Sequence, residues 1–103
     1  MTKDEQYQNI LDLALSEGRK VIEEYWHRHE SDNSWSVCLG ELYIVGNNEF
    51  ANWYRKKMNT NDEKVPLENE GGYKYESAMM WAEAVQKVLY ENGVETINEI
   101  HLD

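Results

Sequence analysis

"ELYIVGNNEFANWYRKKMN", residues Glu41 to Asn59, decides the fold of this chain. It reads either as a strand feeding a helix or as two short helices pivoting on Gly46. The residues just before it, 34–40, share the ambiguity. Ser34 to Leu39 alternates polar and apolar as a strand would, and Gly40-Glu41 suits a tight hairpin turn. Yet Trp35, Cys38, Leu39, Leu42 and Val45 also fall on one helical face, with Ser31 to Ser34 offering caps. Internal comparison favours helices. "LDLALSEG" (11–18), "LGELYIVG" (39–46) and "QKVLYENG" (86–93) each close an apolar-rich stretch on glycine. An apolar residue follows four places on (Ile22, Phe50, Ile97) and another ring or apolar residue at seven (Tyr25, Trp53, Ile100). Helix, glycine corner, helix is the unit this pattern describes. Gly18 fits the alternative of one uninterrupted helix, at about 1 kcal/mol. The expectation is a mainly α, compact helical-hairpin domain. The alternative is an α+β fold with a β-hairpin at 34–45.

Leu39, Gly40, Tyr43, Gly46, Ala51, Trp53, Tyr54 and Lys56 also stand where the tetratricopeptide superfamily, in its Sel-one-type branch, places its signature. Residues 39–58 thus resemble one such repeat. The departures are a shorter corner, Lys57 and Met58 in place of alanines, and degenerate flanking units. The resemblance implies a helical hairpin that binds other proteins and carries no chemistry of its own.

Away from this stretch the helices are easier to read. Thr2 and Glu5 form a capping box, and Tyr7, Ile10, Leu11, Ala14, Val21, Ile22, Tyr25 and Trp26 recur at helical spacing, predicting a helix over 4–28. Asn47 or Asn48 caps a second over 48–58, whose Glu49 and Arg55-Lys56-Lys57 suit the macrodipole. Ala78, Trp81, Ala82, Val85 and Leu89 give a third over 76–91, ended by Asn92-Gly93. Residues 60–75, with Pro66 and Gly71-Gly72, read as a long polar loop within a single domain spanning 1–103.

One cysteine allows no internal disulfide, and no signal peptide or spanning apolar run is present, so a cytoplasmic protein off the membrane is expected. Twenty acidic residues against ten basic give a net charge of −10, which opposes direct nucleic-acid binding and attracts basic partners. The excess is uneven. Residues 34–60 carry two acids and three bases, whereas 61–103 carry ten acids and three bases. Among those ten, Asp62, Glu63, Glu68 and Glu70 lie in the loop, while Glu76, Glu83 and Glu91 form a ridge at roughly helical spacing. The aromatics of the middle, Trp35, Tyr43, Trp53, Tyr54, Tyr73 and Tyr75, exceed what one thin layer can bury, so some serve as surface anchors. Met79, Met80 and Trp81 read as core.

Chemistry is thinly signalled. His27 and His29 point about 200° apart on a helix and cannot share a metal. Glu23, His27 and Glu30 share a face and could ligate a cation only with further ligands, and a solvated face bearing a Glu24–Arg28 ion pair is the simpler reading. Cys38 reads as a small buried hydrophobe. No metal or cofactor is expected, and no catalytic residue.

The resulting expectation is a non-enzymatic acidic inhibitor that occupies the basic, nucleic-acid-binding surface of a partner protein. Counter-defence proteins of phages and mobile elements, anti-CRISPR factors among them, share this compact acidic build. Its binding residues would be Asp62, Glu63, Glu68, Glu70, Glu76, Glu83, Trp53, Tyr54, Tyr73 and Tyr75. The alternatives are a helical-repeat adaptor or toxin-immunity protein, a homodimer, and a small metal-binding enzyme on the Glu23/His27/Glu30 face.

Overall fold

The computed structural model describes residues 2–28, 38–72 and 74–102. Three helices carry most of the described chain, α1 (Lys3–Arg28), α2 (Glu49–Lys57) and α3 (Tyr75–Glu91). Five short strands accompany them: β1 (Cys38–Leu39), β2 (Leu42–Ile44), β3 (Val65–Leu67), β4 (Thr96–Asn98) and β5 (His101–Leu102). The fold is mainly α with a small β component.

The helix ends follow from local chemistry. The amide of Glu5 donates to Thr2 Oγ1 at 3.2 Å, and the amide of Ala51 donates to Asn48 Oδ1 at 2.8 Å. Both caps satisfy donors that a first turn leaves over. At the far end of α3, Val94 N–H donates to Leu89 O and Gly93 N–H to Tyr90 O, the paired bonds of a Schellman motif. Gly93 supplies the left-handed residue at φ +76°. The same motif closes α2, where Thr60 N–H reaches Arg55 O and Asn59 takes φ +55°.

α1 runs unbroken through Gly18, so no corner forms there. The glycine is needed for packing instead. A Cβ on Gly18 would stand 2.6 Å from Trp81 Cδ1 and 2.8 Å from Val85 Cγ2, so its absence lets α3 lie directly on α1. The two helices are antiparallel: Tyr25 lies beside Glu76, Gly18 beside Trp81, and Leu13 and Glu17 beside Val88 and Glu91. Trp81, fully buried, is the largest side chain in this seam. Leu11, Ala14, Ala78, Ala82, Val85 and Leu89 close around it.

The stretch before Gly46 is strand, not helix. Leu42 and Ile44 are buried and Tyr43 is half-buried, the period-2 pattern of a sheet with one face on the core. β2 is the centre of an antiparallel sheet ordered β3-β2-β4, and β1 pairs with β5. The hairpin alternative differs as well. Gly40-Glu41 does not turn β1 back on β2; each strand pairs with a distant one. Cys38↔Leu102, Leu39↔His101, Leu42↔Asn98 and Ile44↔Thr96 keep one continuous register, so 38–45 and 95–102 form a single ribbon interrupted at Gly40. Gly40 has φ +89°, and a Cβ there would fall 2.1 Å from Glu99 O. Only glycine allows this close approach. Gly46 at φ +94° then turns β2 into α2.

The connection over 60–75 is not all loop. Val65 and Leu67 are buried in β3, and Pro66 sits between them on an edge strand, where a missing N–H is tolerated. Residues Ser31 to Ser34, Trp35 and Tyr73 lie outside the described residues, as do His29 and Glu30. Among the described residues no helix is long and apolar enough to cross a membrane.

Candidate partner-binding surface

The expected binding residues divide among three environments. Asp62 and Glu63 follow α2 and are exposed, but their backbone is clamped. Arg55 Nε donates to Asp62 O at 2.7 Å, and Nη2 donates to Glu63 O at 2.8 Å and Gly46 O at 2.6 Å. One guanidinium thereby ties the β2–α2 corner to the segment entering β3. Its planar fork suits three carbonyls better than an ammonium would.

Glu68 is exposed at the end of β3, whereas Glu70 is half-buried and turned to α1, where Arg19 Nε lies 3.0 Å from its Oε2. The loop is therefore fastened to α1 rather than presented whole beside the acidic ridge. Below it, Gly71 lies against Ala78 and Trp81, and Ser77 Oγ donates to Gly71 O at 2.6 Å. The ridge itself exists. Glu76 and Glu83, seven residues apart, share the outer face of α3, with Glu91 about 60° round at 100° per residue; all three are exposed. Among the described residues Glu68, Glu76 and Glu83 form no ion pair.

The aromatic anchors are mostly interior. Tyr54 is only 4% exposed; its O–H donates to Pro66 O at 3.2 Å, and burial pushes its pKa up. The expectation that it anchors a partner is corrected: the ring fills the gap between α2 and β3. Trp53 is half-buried, with Tyr7 and Phe50 at centroid distances of 5.8 and 5.3 Å and Lys57 Nζ 5.7 Å above it. Tyr75 is half-buried against the core, and Trp81 lies fully inside it.

The polar pairs knit distant segments. Tyr7 O–H donates to Glu49 Oε2 at 2.6 Å and Lys3 Nζ lies 3.1 Å from the same oxygen, so Glu49 is held below the usual carboxylate range, first by Tyr7 and then by Lys3. Lys64 Nζ donates to Glu99 Oε2 at 2.6 Å while standing 4.7 Å over the Tyr43 ring, strapping the outer face of the sheet. That hydrogen bond raises the Lys64 pKa.

Glu23 and His27 are both exposed on α1, and Arg28 pairs with Glu24 at 3.9 Å, as the helical spacing predicts. Glu30 lies outside the described residues, and no cluster of three or more metal-binding side chains occurs among those described. Cys38 is half-buried; its thiol donates to Gly72 O at 3.8 Å, and burial raises its pKa, which opposes the thiolate a nucleophile needs.

Two features carried no signal in the sequence pattern. Tyr90 on α3 is 81% exposed and Ile97 on β4 is 47% exposed, and both line a groove of about 610 Å³ between those elements. Only the pairing of β4 with β2 reveals that Ile97 faces outward. No protein-family model, curated protein or solved structure matches this chain.

Proposed function

We propose that this chain is a non-enzymatic protein-binding module that occupies a basic, nucleic-acid-binding surface of a partner, its carboxylates standing in for phosphates. The observation that carries this reading is the exposed pair Glu76 and Glu83 on the outer face of α3, together with exposed Glu68 after β3, none of which has an ion-pair partner among the described residues in a chain of net charge −10. Such clustering costs self-repulsion, which a cationic partner would offset. Glu70 is set aside from this face, because Arg19 already engages it. Trp53 contributes at most its uncovered edge.

The test immobilises the chain beside a Glu68→Lys/Glu76→Lys/Glu83→Lys variant and captures proteins from a lysate treated with nuclease. Supporting the reading requires a nucleic-acid-binding protein that excess duplex DNA or RNA competes off. Its capture should weaken steeply with salt and vanish with the variant, chiefly through a slower association rate. Capture of the same proteins by both forms, insensitive to nucleic acid, would return the acidic face to a solubility role.

A further inference from the structure

We infer that the free edge of β4, with the groove beside it, accepts an extended basic segment of a partner protein as a fourth strand. This rests on the reading of the chain as an acidic binding module and names the surface and the mode of recognition. Val45 N–H donates to Glu95 O and Glu99 N–H to Glu41 O, so Glu95, Ile97 and Glu99 turn their backbone groups toward β2. Antiparallel alternation then turns the N–H and C=O of Thr96 and Asn98 outward. No backbone hydrogen bond engages these four groups among the described residues. The side chains of Thr96 and Asn98 are instead held from α3, through Gln86 Nε2 at 2.9 Å and Met79 Sδ at 3.5 Å. The strand is thus fixed in place while no other described strand pairs with its outer edge.

Gln86, Lys87 and Tyr90 of α3 form the far wall of the groove, and Glu95, Thr96 and Ile97 the near one. An added strand would bond to the edge and lay alternate side chains on Tyr90 and Ile97, the usual logic of strand addition. Charge selects the occupant. Glu95 lines the groove with no ion pair among the described residues, Glu83 lies exposed on α3 one turn before Lys87, Glu99 is held by Lys64, and Lys87 is the single base on the wall. A second copy of this chain fits poorly. Pairing β4 with itself about Ile97 sets Glu95 across from Glu99, between two molecules each carrying −10. A strand with lysine or arginine at alternate positions meets both the edge and the field.

The probe is the blocked heptapeptide Lys-Val-Lys-Val-Lys-Val-Lys, titrated into the full chain and followed by amide NMR. Thr96, Ile97, Asn98 and Tyr90 should shift saturably, and the Thr96 and Asn98 amides should gain exchange protection. A peptide N-methylated on every valine and one N-methylated on every lysine should then differ. The one whose methyl groups face β4 should bind about tenfold more weakly, having lost its donors, while the other stays near parent affinity. Tyr90→Ala, exposed enough to leave folding alone, should weaken the parent peptide. Equal binding by both methylated peptides, or shifts confined to Glu68 and Glu76 with none at 96–98, overturns the edge site; the second result would leave the acidic-face reading standing. Equal binding of a Glu/Val peptide, or Ile97-dependent self-association, would overturn the basic occupant.

Discussion

Gly18 stands where a helix would ordinarily favour alanine by about 1 kcal/mol. The 2.6–2.8 Å contacts that a Cβ would make with Trp81 and Val85 reverse that preference, because overpacking costs about 1–3 kcal/mol in a closed core. Gly18→Ala should therefore destabilise by about 1 kcal/mol net, read as a lower urea midpoint at unchanged slope. A midpoint that rises would mean that the α1–α3 seam yields. Glu49 gives a second prediction. Its pKa is lowered from 4.5 by Tyr7 and Lys3, so its contribution is fully present above that value and is lost as pH falls through the lowered one. Glu49→Gln should lower the melting temperature near neutrality, and the gap should close as the solution is acidified through the lowered pKa. A gap of constant size across that range would show that the carboxylate's charge is irrelevant. Arg55 shows a third role for a residue: a base within an acidic molecule that binds three backbone carbonyls and the Asn52 amide oxygen, and no carboxylate among the described residues.

Elements here depend on glycine in different ways, and substitution separates them. Gly93 takes φ +76° with open space where a Cβ would stand, so Gly93→Ala meets backbone strain alone, about 1 kcal/mol. Gly40 combines φ +89° with a Cβ position 2.1 Å from the Glu99 carbonyl, and backbone cannot move aside as a side chain can. Gly40→Ala should cost more than twice as much as Gly93→Ala and should strip exchange protection from the β1–β5 pair while leaving that of α3 intact. Equal costs would indicate that the ribbon shifts register freely. The strands also account for the aromatic-rich middle. Tyr43 faces outward under Lys64, whereas Tyr54, on the neighbouring helix, is drawn in by β3.

At the scale of the molecule, charge works against compactness. The fold measures 44 × 27 × 20 Å, close to the Debye length of about 30 Å at 0.01 M salt and far beyond the length of about 8 Å at 0.15 M. At low salt most of the net −10 is felt throughout the chain; at physiological salt only neighbours interact. The ion pairs, all on exposed or half-exposed side chains, each contribute little and weaken in the same salt. Raising salt from about 0.01 to 0.15 M should therefore raise the melting temperature by a few degrees. A fall would mean that the ion pairs outweigh the repulsion.

Much of the helical framework was legible. The stripe from Tyr7 to Trp26, the Asn48 cap, the Asn92-Gly93 stop and the Glu24–Arg28 pair follow from bonds and contacts within four or five residues, which local sequence can specify. Residues 38–45 were not legible, because a short apolar run satisfies both periods, and what makes it strand is pairing with 65–67 and 95–102. The same remoteness hid the fates of candidate site residues. Arg19 claims Glu70 from 51 positions away, and Pro66 receives the Tyr54 hydroxyl across 12. The acidic excess and its bias toward 61–103 belong to the sequence alone. Which carboxylates face solvent, and that β4 pairs on one side only among the described strands, were decided by tertiary structure, since a strand's exposure depends on partners the chain brings from afar while a helix completes its own hydrogen bonds.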